Sequence, residues 1–351
     1  MSLINKLKKN STIDQTAILS KSTLLREKDI IPTSVPMVNV ALSGKLDGGL
    51  TPGITVLAGP SKHFKTAFAL LMAASYQQKY PDAVILFYDS EFGSPQAYFE
   101  TFGIDMDRVL HTPITDIEEL KHDVMAQFQQ LEKGDRVMVV MDSIGNLASK
   151  KEVDDAVEGK TVADMSRAKQ LKSLFRMVTP HLTLKDIPMV VVNHTYKEIG
   201  LFPKDIVSGG TGIVYSADTI WILGRQQEKT GTEITGYNFI INVEKSRFVK
   251  EKSKIPITVS FEGGINKWSG LMDIALEGNF VTKPSNGWYS KVDQDTGEVL
   301  EKHRFSDTQT KGFWEDILAS QKFQEYVRKK YEIAHGSIME QIDMVEESED
   351  V

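Results

Sequence analysis

The sequence predicts an α/β protein, with helices covering both faces of a mostly parallel, twisted sheet. Between Ile31 and about Gly270, short apolar runs alternate with helical patterns. The runs Ile54 to Gly59, Val84 to Asp89, Val137 to Asp142 and Pro188 to His194 are almost unbroken in apolarity, as strands buried on both faces are. At 351 residues the chain exceeds one average domain, so smaller pieces are expected at the ends of a large core.

Two further strands, Thr219 to Gly224 and Phe239 to Lys245, follow in the same core. Helical spacing marks Thr66 to Gln78 and Val162 to Thr179, the second with Val162, Met165, Leu171, Leu174, Phe175 and Val178 on one face. Asn146 to about Asp164 and Thr195 to Gly212 lack a clear period and read as long loops. Such loops in a compact core are uncommon unless they carry function. Met1 to about Ile30 reads as a short amphipathic helix on Leu3, Ile4 and Leu7 followed by a polar stretch. That apolar face is too small to fold alone, so it is either a frayed terminus or a segment that docks on another surface. Beyond Gly270 come a helical stretch, a hairpin turning at Thr296-Gly297 and closing helices, a small α+β domain. The expected divisions are 1–30, 31–270, 271–335 and an acidic tail over 336–351.

The composition, 41% hydrophobic and 25% charged, is that of an ordinary soluble protein and names no function. The absence of cysteine excludes disulfide scaffolds and thiol chemistry and suits a reducing cytoplasm. No signal peptide and no run of about 18 apolar residues is visible, so no membrane partner is expected. A formal charge of −7 argues against coating nucleic acid with the whole surface, though not against local binding. Asp343, Glu346, Glu347, Glu349 and Asp350 supply much of that charge. A tail of this kind is either solvated and disordered or a competitor for a basic DNA-binding surface.

The strongest local signal is Gly59-Pro60-Ser61-Lys62-His63-Phe64-Lys65-Thr66, directly after a strand and opening a helix. It nearly fits the phosphate-loop pattern G-x-x-x-x-G-K-[ST]. In that pattern backbone N–H groups wrap phosphates, the lysine reaches the β/γ-phosphates and the hydroxyl binds Mg²⁺. The departure is Phe64, which stands where the pattern has its second glycine and demands a different backbone shape. Val137 to Asp142 ends in an aspartate suited to the Mg²⁺ shell, although strand-end aspartates also cap turns. Between the two, Glu91 stands just past another strand end, where open α/β sheets gather their ligands. It suits activation of an attacking water; the alternative is a helix-capping charge.

The order of these motifs resembles the RecA family of recombinases. So do the strand ending in Asn193-His194, the Gly-rich Ser208-Gly209-Gly210-Thr211-Gly212, the Glu244-Lys245-Ser246-Arg247 run and Gly287-Trp288-Tyr289. Within that family the likeness is to the branch from T-even bacteriophages, where Phe likewise precedes the phosphate-loop lysine. The resemblance implies a RecA-like core that hydrolyses ATP with Mg²⁺ when bound to DNA, forms helical filaments on single-stranded DNA and exchanges strands with a homologous duplex. A recombination mediator and a single-stranded-DNA-binding protein are implied as partners, with the cytoplasm, a host's for a phage protein, as location.

By the same resemblance Glu91 is the catalytic carboxylate, Lys65 and Thr66 the phosphate-loop pair, Asp142 the Mg²⁺ ligand and Tyr98 an aromatic that stacks on adenine or else packs. His194 matches a γ-phosphate sensor, with a satisfied core histidine as the alternative. Lys245 and Arg247 match a basic pair reaching a neighbour's ATP, or else form a plain charge cluster. Lys150, Lys151, Lys160 and Arg167 belong to the first DNA loop, Thr195, Gly209, Gly210, Thr211 and Gly212 to the second. The resemblance also makes the first 30 residues a segment that docks on the next subunit. Two rivals remain: a ring-forming P-loop motor such as a hexameric helicase, and a DNA-coating scaffold that binds nucleotide without turnover.

Overall fold

Strand residues here must satisfy two apolar layers at once, and the computed structural model shows how. It describes residues 2–22, 28–160, 166–200, 203–230 and 232–333. Chain order runs α1 (Leu3–Asn10), α2 (Pro36–Ser43), β1 (Gly53–Ala58), α3 (Lys65–Lys79), β2 (Val84–Asp89), α4 (Gln96–Thr101), β3 (Val109–Pro113) and α5 (Ile117–Gln130). It continues through β4 (Val137–Asp142), α6 (Lys150–Val157), α7 (Ser166–Lys185), β5 (Pro188–Asn193), β6 (Thr195–Lys197), β7 (Asp205–Val207) and α8 (Thr211–Ser216). Then come β8 (Thr219–Thr230), β9 (Glu233–Ser246), β10 (Lys254–Ser260), β11 (Gly264–Ile265) and α9 (Leu271–Glu277). The chain closes with β12 (Val281–Ser285), β13 (Trp288–Val292), β14 (Val299–Arg304), α10 (Lys311–Ala319) and α11 (Gln321–Tyr331).

Among the described residues nine strands form one sheet, in the order β11-β10-β9-β8-β1-β5-β4-β2-β3. From β8 to β3 all neighbours are parallel, and β9, β10 and β11 add antiparallel strands beyond β8. Alternation across the pleat decides which layer each side chain enters. Leu57, Phe87, Val140 and Val192 face the layer with Phe68 and Trp221, whereas Val56, Tyr88, Val139 and Val191 face the one with Val124, Leu174 and Phe175. Both faces being covered explains the continuous apolar runs. Trp221 is fully buried, and its Nε1 donates to the carbonyl of Ala41 in α2 at 3.2 Å.

The structure corrects several sequence-based limits. β8 and β9 run well past the two short apolar segments, because antiparallel pairing from Thr219↔Ser246 to Thr230↔Glu233 extends the ladder beyond the buried part. β3 and β10 have no counterpart in the sequence reading, β3 because an edge strand with exposed Leu110 carries little apolar signal. The stretch read as a loop from Asn146 contains α6, capped by the Ser149 hydroxyl, which accepts from the Glu152 amide. Thr195 to Gly212 holds the β6–β7 hairpin and the start of α8. The helix expected from Val162 begins, as described, at Ser166 and runs on to Lys185; Val162 and Met165 lie outside the described residues. So does the acidic tail.

After β11 a small unit forms from α9, a three-stranded antiparallel sheet β12-β13-β14, α10 and α11. Its own core is Phe280, Phe313, Trp314 and Phe323, continuous with the layer under α2. At the other end, α1 exposes Leu3, Ile4 and Leu7 and buries none of its residues. No helix among the described residues is long and apolar enough to cross a membrane.

Candidate active site

The carboxyl ends of β1, β2, β4 and β5 lie side by side, and each delivers one of the residues singled out above. A cavity of about 540 Å³ opens there, lined by Ser61 to Ala67, Glu91, Tyr98, Asp142, His194 and a wall of Arg225, Tyr237, Phe239 and Phe261. It is the crevice at which open parallel sheets take ligands.

The loop after β1 turns directly into α3 and lines the cavity, with the positive end of a helix dipole behind it. Gly59 lies against β8, where a Cβ would sit 3.1 Å from the Leu223 carbonyl oxygen. Phe64 adopts the left-handed conformation that the missing glycine would take, at φ 62°. Its ring joins the apolar wall of the cavity, stacking on Phe239 with centroids 4.9 Å apart and meeting Phe68 edge-on at 5.7 Å. The departure from the phosphate-loop pattern is thus accommodated in the apolar wall, and the loop keeps its open cup. Lys65 Nζ donates to the Pro60 carbonyl at 2.8 Å, and burial lowers its pKa. An ammonium held across the loop is poised to exchange that carbonyl for an anion.

Thr66 Oγ1 donates to Asp142 Oδ2 at 2.7 Å. Asp142 is 4% exposed, and burial pushes its carboxyl up to about 6. Its Oδ1 is buried with no hydrogen-bond partner, the signature of a group waiting for a ligand. Among the described residues no cluster of three metal-binding side chains occurs. One carboxylate and one hydroxyl beside a phosphate cup fit Mg²⁺, which is held by one or two protein oxygens, waters and substrate phosphates.

Glu91 stands 3.1 Å from His194 Nε2, and the same oxygen accepts from Ser143 Oγ at 2.6 Å and Asn146 Nδ2 at 3.3 Å. The hydrogen bond from His194 holds its carboxyl down to about 2, against the opposing effect of burial. Its loop is fixed by Asp89, whose Oδ1 accepts the amides of Glu91 and Phe92 at 2.9 and 2.8 Å. His111 lies 3.1 Å from the other Asp89 oxygen. Tyr98, at the start of α4, contributes its ring to the cavity wall and packs edge-on against Phe102.

Other expected residues lie away from the cavity. Lys245 Nζ caps the end of α8, donating to the carbonyls of Val214 and Ala217 at 2.7 Å each. Arg247 pairs with Asp218 at 2.7 Å. Arg167 spends its guanidinium on the carbonyls of Leu147, Ile144 and Gly145 at 2.8 to 2.9 Å, which ties α7 to the chain leaving β4. Lys151 and Lys160 pair with Asp155, Lys160 also with Glu158, and the exposed Lys150 opens α6. Thr195 begins β6 with its hydroxyl buried and unpartnered. Gly209 and Gly210 have positive φ, and Thr211 and Gly212 open α8 so close to α7 that a Cβ on Gly212 would sit 2.8 Å from the Lys172 Cα. Sequence reading missed Ser143, Asn146, Arg225, Tyr237, Phe239 and Phe261. Extending the β8–β9 hairpin past Gly224 would have brought Arg225 and Tyr237 beside Phe239 at the cavity, whereas Phe261 follows β10, a strand the sequence reading lacked.

The RecA N-terminal domain family matches residues 4–266. The family described as Bacteriophage T4, Recombination and repair protein, C-terminal domain, matches residues 268–327. The chain is 49% identical over 336 residues to the Recombination and repair protein of Enterobacteria phage T4, covering 94% of this chain and 86% of that one. It is 26% identical over 281 residues to Protein RecA of Symbiobacterium thermophilum, covering 79% and 77%, and 25% identical over 311 residues to that of Clostridioides difficile, covering 87% and 84%.

Proposed function

From the premise that this chain belongs to the RecA family of recombinases, we propose that it is a DNA-dependent ATPase that assembles as a helical filament on single-stranded DNA and pairs that strand with a homologous duplex. The observation that carries the reading is the convergence of Lys65, the Thr66–Asp142 pair and Glu91 on one cavity at the ends of parallel strands. ATP is the substrate, with its triphosphate in the cup of Gly59 to Thr66 and its base toward Tyr98. Thr66 and Asp142 would hold Mg²⁺, which would supply positive charge to the phosphates. Glu91, ionised, takes the proton of a water aimed at the γ-phosphate.

DNA reaches this chemistry through two roots. Ser143 and Asn146 lie on the segment leading to α6, and His194 on the segment leading to β6; all three hydrogen-bond Glu91. DNA binding at α6 and the β6–β7 hairpin shifts those donors and with them the carboxylate. Lys150, Lys151, Lys160 and the amides around Gly209 to Gly212 grip phosphates, and sequence is read by base pairing alone. In the filament Lys245 and Arg247 leave their own carbonyls and Asp218 to stabilise charge in a neighbour's cavity. The exposed face of α1 docks on an adjoining protomer. A mediator and a single-stranded-DNA-binding protein are the further partners, in the cytoplasm of a host cell. The deciding experiment is ATP hydrolysis with and without single-stranded DNA: strong stimulation is expected, and equal rates would overturn the reading.

A further inference from the structure

We propose that Arg225 is a positioning residue of the phosphate loop, holding from outside a backbone that lacks the glycines its shape calls for. This deepens the reading of that loop as a nucleotide site and rests on it. Between Gly59 and Thr66 two residues with side chains, Lys62 and Phe64, sit in the left-handed region at φ 60° and 62°. There the Cβ crowds the following carbonyl oxygen, so such residues persist only where their surroundings over-determine them.

Two clamps do so. The Lys62 carbonyl accepts from Arg225 Nη1 at 3.1 Å, and the guanidinium lies over the Tyr237 ring, 4.7 Å from its centroid. The Phe64 ring stacks on Phe239 with planes 18° apart. Arg225 and Phe239 are direct partners in the β8–β9 ladder, so both clamps come from a single rung. That rung fixes the two strained residues on either side of His63. The path of the loop between them, which lines the cavity, depends on both staying left-handed. An arginine keeps its charge at any working pH and presents a rigid fork, so one arm can hold the carbonyl while the plane rests on the ring. Nucleotide affinity therefore depends on a residue that touches the loop rather than the ligand.

Binding of a fluorescent ATP analogue with Mg²⁺ to the full-length protein tests this in a double-mutant cycle of Arg225→Ala and Lys62→Gly. Arg225→Ala is expected to weaken binding about tenfold, the scale of a lost charge-assisted hydrogen bond. In a Lys62→Gly background, where the backbone takes its shape unaided, the same change is expected to cost less than about threefold. Equal losses in both backgrounds would mean that Arg225 acts on the phosphates directly, and would overturn the clamp; so would unaltered binding in Arg225→Ala. Failure of the unmutated protein to bind would overturn the nucleotide site itself, a separate result. Arg225 is exposed, so folding should survive. Arg225→Met, which keeps an unbranched side chain but has no donor for the Lys62 carbonyl, carries the same cycle should the alanine variant misfold.

Discussion

Glu91 and His194, 103 positions apart, meet at 3.1 Å across the ends of β2 and β5. The carboxylate is thereby held ionised by a side chain that stands where the chain leaves the sheet for β6. Replacing it by an amide keeps the shape and removes the base. Glu91→Gln is expected to bind ATP as the unmutated protein does and to lose turnover by about 10²- to 10⁴-fold. Steady-state hydrolysis beside nucleotide titration checks this; normal turnover removes Glu91 from the mechanism.

The pairing also sets a pH dependence. Folding holds the Glu91 carboxyl at about 2, below its ordinary 4.5, with the His194 hydrogen bond as the largest cause. The stability this group contributes is therefore complete above about 4.5 and is lost as pH falls from there towards about 2. His194→Ala removes the main cause, so the carboxyl rises and the acid limb of the turnover profile moves to higher pH. An unmoved acid limb would separate the two residues functionally.

Lys65 has its ammonium folded back on Pro60 and carries the phosphate contact in the proposed mechanism. Lys65→Ala is expected to abolish DNA-stimulated hydrolysis while leaving the apo fold intact, because the lysine bonds only its own loop. Hydrolysis assays with thermal unfolding of the same samples decide it.

Deleting residues 1–30 should leave a folded protein that binds Mg-ATP and builds no filaments, since α1 buries nothing in its own protomer. Electron microscopy with ATP and single-stranded DNA reads the outcome. Filaments from the truncated chain place the contact elsewhere, and closed rings from the full chain favour a hexameric motor.

Trp221 is, with Trp314, one of two fully buried tryptophans among the described residues, and it joins β8 to α2 through its indole N–H. Trp221→Ala is expected to destabilise by about 3–5 kcal/mol, measured by denaturant unfolding. A loss below about 1 kcal/mol would show that the layer under β8 repacks.

Much of the candidate site is legible in the sequence, because its parts are local. The loop from Gly59 to Thr66 is a run of consecutive residues at a strand–helix junction, Asp142 ends β4 and Glu91 lies two residues past the end of β2, each announced by the apolar run before it. The sequence by itself determined the buried parallel strands, the loop between β1 and α3 and the acidic strand ends, through periodicity and hydrophobicity that need no distant partner. Only the tertiary structure decided how Phe64 is tolerated, which donors surround Glu91, and that Lys245 and Arg167 bond backbone carbonyls of their own chain. Arg225 reaches a carbonyl 163 positions earlier, and nothing in the residues near either one foretells it. Such contacts are set by strand order and antiparallel register, which emerge only when the whole chain buries its apolar surface at once.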